Sequence, residues 1–375
     1  MKEQCRDENL EEIVALRHAL HRHPELSGRE TWTKAHLMAF ITDRTDLEIV
    51  DKGTWFYALY TPEAENQRPI AFRADMDALP IDEAPTLPYA SEVPGVSHRC
   101  GHDGHSAALA ALAVAVSQRP QPFQRKIYLV FQPAEETGQG GEACAAFLKA
   151  AGVEEVYAFH NLNGYPENSI VLREGLSQPA SEGLTIHLTG TPCHASAPEQ
   201  GRNPAFVIAH LIERVEAIAK RPYATLVFCT VVNVVVGTKD FGISAGEGEL
   251  SVTLRAEDER DMQGIEQELR QYAEDLADRD GFQVDFEIHD YFPETRNHTK
   301  NLQKVREAAK KTGHPVIEMP DLWHASEDFG YYLKAMPGAI FYIGTGENYP
   351  PLHTEHYDFN DAILKTARDM FLALI

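Results

Sequence analysis

The run KIYLVFQPAEETGQGGEACAAFLKAAGVEEVYAFH, residues 126–160, decides the fold class. Lys126–Phe131 reads as a strand, the stretch near Glu142–Ala150 as a helix and Val156–Phe159 as a second strand. Strand, helix and strand in that order make an α/β layer with a largely parallel or mixed sheet. Upstream, Leu10, Ile13, Val14, Leu16 and Leu20 approximate helical spacing until Pro24 stops the pattern. A second helix and the strands Thr54–Tyr60 and Pro69–Arg73 follow, then a polar loop and an Ala-rich helix, Gly104–Gln118.

Downstream the pattern changes near Ser181. Strand Gly183–Leu188, helix Asn203–Lys220, strands Ala224–Val236 and Glu249–Ala256, helix Arg260–Arg279 and strand Phe282–Ile288 give the order βαββαβ. That is the ferredoxin-like split arrangement. After Pro293 the α/β character returns with helix Thr299–Thr312, strand Pro315–Ile317, helix Glu327–Ala335, strand Ala339–Gly344 and a final helix. The expected architecture is an α/β catalytic domain with a mixed, mainly parallel sheet, split over 1–180 and 294–375. A ferredoxin-like α+β domain, 181–293, interrupts it.

Composition bounds the function. The 375 residues suit two or three domains, and 43% hydrophobic with 24% charged is ordinary for a globular protein. A net charge of −23 argues against a nucleic-acid binder and against an anionic membrane surface. Residues 247–290 carry 15 acidic and 4 basic side chains, so nearly half of the excess lies there, read as a solvated face. Cys5, Cys100, Cys144, Cys193 and Cys229 are scattered and form no CxxC pair. The start lacks the pattern of a secretory signal, and the longest apolar run, Ala107–Val116, is too short to span a bilayer. A soluble, cytoplasmic, reduced protein is expected.

Ligands of α/β sheets gather beyond the carboxyl ends of strands. IAFRADMD places Asp75 and Asp77 at such an end, IYLVFQPAEE puts Glu135 and Glu136 past another, and VYAFH delivers His160 off a third. His353 lies in the loop after a fourth, and the loop SHRCGHDGHS holds His98, Cys100, His102, Asp103 and His105. Each alone reads as a cap, a scaffold or a surface residue. Their convergence on one sheet edge points to a site. Cys, His and Glu together suit zinc or, less typically for a thiolate, manganese. The five candidates Cys100, His102, Glu136, His160 and His353 fully supply one ion, and two ions sharing a bridging ligand use the set better. Adjacent Glu135 and Glu136 then divide into one ligand and one base.

These motifs resemble the two-metal hydrolases of the peptidase M20 family, which contains glutamate carboxypeptidase and aminoacylase. The likeness is to its amidohydrolase branch, with indole-acetyl-amino-acid hydrolases, hippurate hydrolase and N-acetyl-diaminopimelate deacetylase. It is carried by LHRHPELSGRET (20–31), FRADMDALPI (72–81), HRCGHDGHSAAL (98–109), FQPAEETGQGG (131–141), FHNLNG (159–164), SEDFGYY (326–332) and PLHTEHYDFND (351–361). The resemblance implies Cys100, His102, Glu136, His160 and His353 as metal ligands, Glu135 as general acid/base, and Asp75 and Asp77 as supports of the ligands. It implies two divalent ions per subunit, manganese or zinc, with nickel and cobalt as alternates. The inserted domain becomes a lid that also forms a homodimer. There TGTPCHASAPEQGRNP matches the segment whose His194 reaches a site, often the partner's, to stabilise the oxyanion.

The lid departs from the branch. Where Asn-Val-Ile-Pro is usual, this chain reads FGISAG (241–246), with Gly242 at the Asn position. The strand LSVTLR (250–255) keeps Arg255, a substrate-binding candidate with His194, but has Val252 for the usual Gly. Pro192 and Cys193 replace commoner glycines. The expected activity is metal-dependent cleavage of a small N-acyl amino acid. The rivals are a dipeptidase or carboxypeptidase on the same machinery, and a non-catalytic binding protein that kept the fold.

Overall fold

The computed structural model describes residues 4–84 and 87–375, with side chains from Leu10 onward, so the Cys5 thiol lies outside the described part. The chain divides into two compact units. The first comprises Met1–Ser177, Thr295–Leu322 and Glu327–Ile375; the second comprises Gln178–Glu294 with Trp323–Ser326. The four residues Trp323–Ser326, read from sequence as part of the α/β block, group with the second unit.

The first unit is built on an eight-stranded mixed sheet. Its centre is four parallel strands in the order Ile127–Gln132, Ile70–Asp75, Glu155–Leu162 and Gly338–Gly344. Phe56–Tyr60 and then Glu48–Asp51 extend one side antiparallel. On the other side Ile170–Leu172 runs antiparallel to Gly338–Gly344, and Val316–Glu318 lies parallel to Ile170–Leu172. Every residue of the four central strands is buried, as expected for parallel strands covered on both faces by helices.

Side chains alternate between two apolar layers. Phe72, Leu129, Phe131, Tyr157, Phe159 and Phe341 pack with residues of helices Gln4–Arg22, Thr31–Arg44, His102–Ser117, Thr299–Thr312 and Leu364–Leu374. Tyr128, Val130, Val156, Ala158 and Ile340 pack on the other face with helices Gly141–Ala150 and Gly330–Ala335. Each large apolar side chain so buried contributes roughly 1.5–3 kcal/mol. Because the four central strands are parallel, their carboxyl ends, Gln132, Asp75, Leu162 and Gly344, all open on one edge.

The Ala-rich helix begins at His102, two residues before the start read from the sequence. The reason is Gly101, which takes φ 93° and lies so close to Asn161 that a Cβ would sit 2.5 Å from its Oδ1. Only glycine meets both demands, and it ends the loop without a Ser, Thr or Asp cap to announce the helix. His102, Asp103 and His105 therefore belong to a buried first turn and not to a loop.

The second unit has a four-stranded antiparallel sheet in the order Val227–Val236, Glu247–Ala256, Ala180–Thr189, Gln283–Phe292. Its helices Ala205–Ala219 and Glu259–Asp280 share an apolar core with it, through Leu184, Ile186, Leu211, Val252 and Leu269. With strands numbered along the chain, the spatial order is two, three, one, four, which the split βαββαβ connection produces. Among the described residues, no helix is long and apolar enough to cross a membrane.

Candidate metal centre

The carboxyl edge of the first unit's sheet collects the donors. Asp75 ends strand Ile70–Asp75, and Asp77 follows it. Glu135 and Glu136 come just after strand Ile127–Gln132, and His160 lies within Glu155–Leu162. Cys100 and His102 flank Gly101 at the helix start. His353 arrives in the loop after Gly338–Gly344 with φ 60°. Ala134, immediately before Glu135, has φ 52°. Left-handed backbone costs a non-glycine residue about 1–2 kcal/mol, so both positions must be held by their surroundings. The Glu30 carboxylate accepts the Ala134 N–H at 2.7 Å, and the Arg99 carbonyl accepts the His353 N–H at 2.9 Å.

Ligand atoms of Cys100, His102 and His160 lie within 4.8 Å of one another, as do those of Cys100, Glu136 and His353, and those of His102, Glu135 and Glu136. Cys100 Sγ is 3.4 Å from His160 Nε2 and 3.3 Å from His353 Nε2. Glu136 Oε1 is 3.7 Å from both His102 Nε2 and His353 Nε2. Donors around one tetrahedral ion, at metal–donor lengths of about 2.0–2.3 Å, stand roughly 3.3–3.8 Å apart. The four spacings, 3.3–3.7 Å, would suit a coordination shell. Among the described residues, His102 Nε2 and Glu136 Oε1 are buried and have no hydrogen-bond partner, which suits atoms that face a cation. All five residues fit divalent ions.

The surrounding bonds orient these donors. His102 Nδ1 lies 3.0 Å from the Asp77 carbonyl and 3.1 Å from Asp77 Oδ1, so it carries the proton and turns Nε2 inward. His160 Nδ1 donates to the Asn161 carbonyl at 2.8 Å, which leaves its Nε2 facing Cys100. Asp77 Oδ2 accepts the Glu136 N–H at 2.9 Å and the Ser27 hydroxyl at 2.7 Å.

Electrostatics point the same way. Burial works against a His102 cation, but Asp75, Asp77 and Glu136 outweigh it and push His102 up to about 10. The carboxylates thus call for a positive charge at this point. Burial raises Glu136 to about 7, with Asp77 adding to it and His102 opposing. Burial and then Glu327, Glu136 and Asp328 push Glu135 well above the usual carboxylate range. The Cys100 thiol is raised by burial and by Glu136 and Glu135. A cation would reverse that sign and favour the thiolate.

Four buried residues without an assigned sequence role, Arg73, His105, Glu327 and Asp328, complete the network. Arg73 donates to Asp75 Oδ2 at 2.6 Å, Asp328 Oδ1 at 2.7 Å and Gln132 Oε1 at 2.9 Å. His105 lies between Asp75 Oδ1 at 2.6 Å and Asn161 Oδ1 at 2.5 Å. Oxygens of Glu135, Glu327 and Asp328 lie within 4.8 Å of one another. An arginine inside the apolar strand IAFRAD was the signal for this hub.

His194 and Arg255 belong to the second unit. His194 is exposed on the short strand Cys193–His194, which pairs with Ile243–Ser244. Its Nδ1 accepts the Ser196 N–H at 3.1 Å, so the proton of the neutral ring sits on Nε2. The Gly242 carbonyl accepts the Ala195 N–H at 3.0 Å, so this position serves the segment through its backbone. Arg255 is partly buried and donates to the His324 carbonyl at 3.0 Å and the Ser326 hydroxyl at 3.2 Å. Desolvation lowers its pKa.

Residues 71–375 match the profile of Peptidase family M20/M25/M40. The chain is 27% identical to the N-acetylcysteine deacetylase of Bacillus subtilis over 366 residues, 96% of this chain and 95% of that protein. It is 28% identical to thermostable carboxypeptidase 1 of Saccharolobus solfataricus, covering 94% of this chain and 92% of the relative. Among solved structures, the YXEP protein of Bacillus subtilis, described as a dinuclear metal binding peptidase from the M20 family, superposes with a TM-score of 0.81 at 26% identity, over 98% of each chain. The match over most of the chain, and a sheet edge furnished with side chains able to hold a metal ion, identify the protein as a hydrolase belonging to Peptidase family M20/M25/M40.

Proposed function

We propose that the chain hydrolyses the amide bond of small N-acyl amino acids, with Glu135 moving the proton. One observation carries this reading: Glu135 Oε2 lies 3.9 Å from His102 Nε2, beside the donor group, on a buried side chain with a raised affinity for protons. Two divalent ions held by Cys100, His102, Glu136, His160 and His353, manganese or zinc first and nickel or cobalt as alternates, would acidify a water and polarise the amide carbonyl. Glu135 takes a proton from the attacking water as the C–O bond forms. It gives that proton to the amine nitrogen as the C–N bond breaks, and the carboxylate is restored. Asp77 holds His102, and Asp75 balances Arg73 and His105.

In the same reading His194 donates its Nε2–H to the oxyanion, and Arg255 meets the carboxylate of the amino-acid half. The second unit acts as lid and joins two copies into a homodimer. Its edge strand Val227–Val236, with Phe228, Val232, Val234 and Val235 exposed, supports that role. The described cysteines Cys100, Cys144, Cys193 and Cys229 are unpaired, which suits a reducing cytoplasm.

The second reading is a dipeptidase or carboxypeptidase, favoured by the likeness to the thermostable carboxypeptidase. A panel of acetyl-, benzoyl- and indole-acetyl-amino acids beside dipeptides, run after reconstitution with each metal, separates the two. Preference for the N-acyl set upholds the proposal. Preference for dipeptides transfers it to the second reading, and absence of bound metal and of all hydrolysis removes both.

A further inference from the structure

We propose that Asp328 is a positioning residue for Glu135, fixing which of its two oxygens turns toward the donor group. The proposal rests on the reading of Glu135 as the proton carrier. The Asp328 backbone N–H donates to Glu135 Oε1 at 3.3 Å, and the other oxygen, Oε2, is the one that faces His102 Nε2 at 3.9 Å. One oxygen is thus occupied, and one is left for chemistry.

The N–H can do this only if its peptide is fixed, and the Asp328 side chain fixes it. Oδ1 accepts from Arg73 Nη2 at 2.7 Å and from Gln132 Nε2 at 2.9 Å. Oδ2 accepts from Gln132 Nε2 at 2.7 Å and from the Gly141 N–H at 2.8 Å. These donors come from strand Ile70–Asp75, the end of strand Ile127–Gln132 and the first residue of helix Gly141–Ala150. On the preceding residue, Glu327 Oε1 accepts the Phe329 N–H at 3.0 Å and stands 3.2 Å from Arg73 Nη2, so the peptide is held from both sides. The fit is close, since a Cβ on Gly141 would lie 2.7 Å from the Asp328 carbonyl oxygen. Asp328 is fully buried, and Arg73, Glu135 and Glu327 nearly so.

Holding matters because a free glutamate samples many rotamers, and ordering it costs conformational entropy. Misplacement of a reacting group by about 1 Å costs on the order of 100-fold in rate. A clamp joining two strand ends could also serve stability alone. The two roles differ in what they predict once Glu135 is gone.

The test uses the full chain, reconstituted with metal, on its best substrate from the panel. Asp328→Ala is expected to lower kcat about 10–100-fold, with KM and metal per chain within about two-fold of wild type. Asp328→Asn, which keeps an oxygen for Arg73, is expected to restore part of that loss. In a Glu135→Ala background, Asp328→Ala is expected to change the residual rate by less than about two-fold, because it acts through Glu135. Should Asp328→Ala not fold, Gln132→Met, which removes the amide that donates to both Asp328 oxygens, is expected to give the same split. Unchanged kcat, a loss that tracks lost metal, or equal losses in both backgrounds would overturn the proposal. Glu135→Ala at wild-type turnover would instead overturn the reading beneath it.

Discussion

The carboxylate of Asp77 lies 3.1 Å from Nδ1 of His102, and its other oxygen accepts the Glu136 N–H at 2.9 Å. One buried side chain therefore orients two of the proposed ligands. Removing it leaves the His102 ring only the Asp77 carbonyl and frees the Glu136 peptide, without taking away a donor. Asp77→Ala is expected to weaken metal affinity about 10–100-fold. Competition with a chelator measures this, and an unchanged affinity would separate Asp77 from the centre.

Cys100 belongs to two of the close donor groups, one with His102 and His160 and one with Glu136 and His353. Cys100→Ala is accordingly expected to lower the metal-to-chain ratio seen by elemental analysis. The side chain is small and buried, so the fold should persist. Unchanged stoichiometry would take Cys100 out of the shell.

The second unit carries its own titrating group. Glu182 is buried on strand Ala180–Thr189, and among the described residues its Oε1 has no hydrogen-bond partner. Burial and then Glu266 raise it to about 8, with Glu259 adding and Arg270 opposing. The folded chain therefore holds this proton more tightly than the unfolded one. The stability it lends is complete below about pH 4.5 and is lost as pH rises through about 8. The shift corresponds to at most about 5 kcal/mol. Glu182→Gln should lose correspondingly less stability than wild type between about pH 5 and pH 8.5, read as urea midpoints. Parallel profiles would contradict the assignment.

Among the described residues the edge strand Val227–Val236 pairs on one side only, and it exposes Val232 by 63%, Val234 by 42% and Val235 by 47%. An apolar, unpaired edge invites another chain. Light scattering on the wild type is expected to give twice the 41.9 kDa chain mass, and the Val232→Lys, Val234→Lys pair to give the single-chain mass. A wild type at the single-chain mass would rule out the dimer.

Much of this was legible because apolar strands in an α/β chain deliver whatever follows them to one edge. IAFRADMD, IYLVFQPAEE and VYAFH did so without knowledge of strand order. The helix start at His102 was hidden, because Gly101 replaces a polar cap and its need for glycine lies in the distant Asn161. The short strands Ile170–Leu172 and Glu48–Asp51 carry too few residues to show a period. Arg73 was visible as a charge in an apolar strand, but its partner Asp328 is 255 residues away. Only the folded sheet brings the two within a hydrogen bond and turns SEDF from a sequence pattern into a support for Glu135.

In the proposed function Glu135 moves the proton and holds no metal of its own. Turnover and metal content measured together on Glu135→Ala test it most directly. The expected result is a folded protein with two ions per chain and kcat reduced by at least about 1000-fold. Wild-type turnover with full metal content would contradict it.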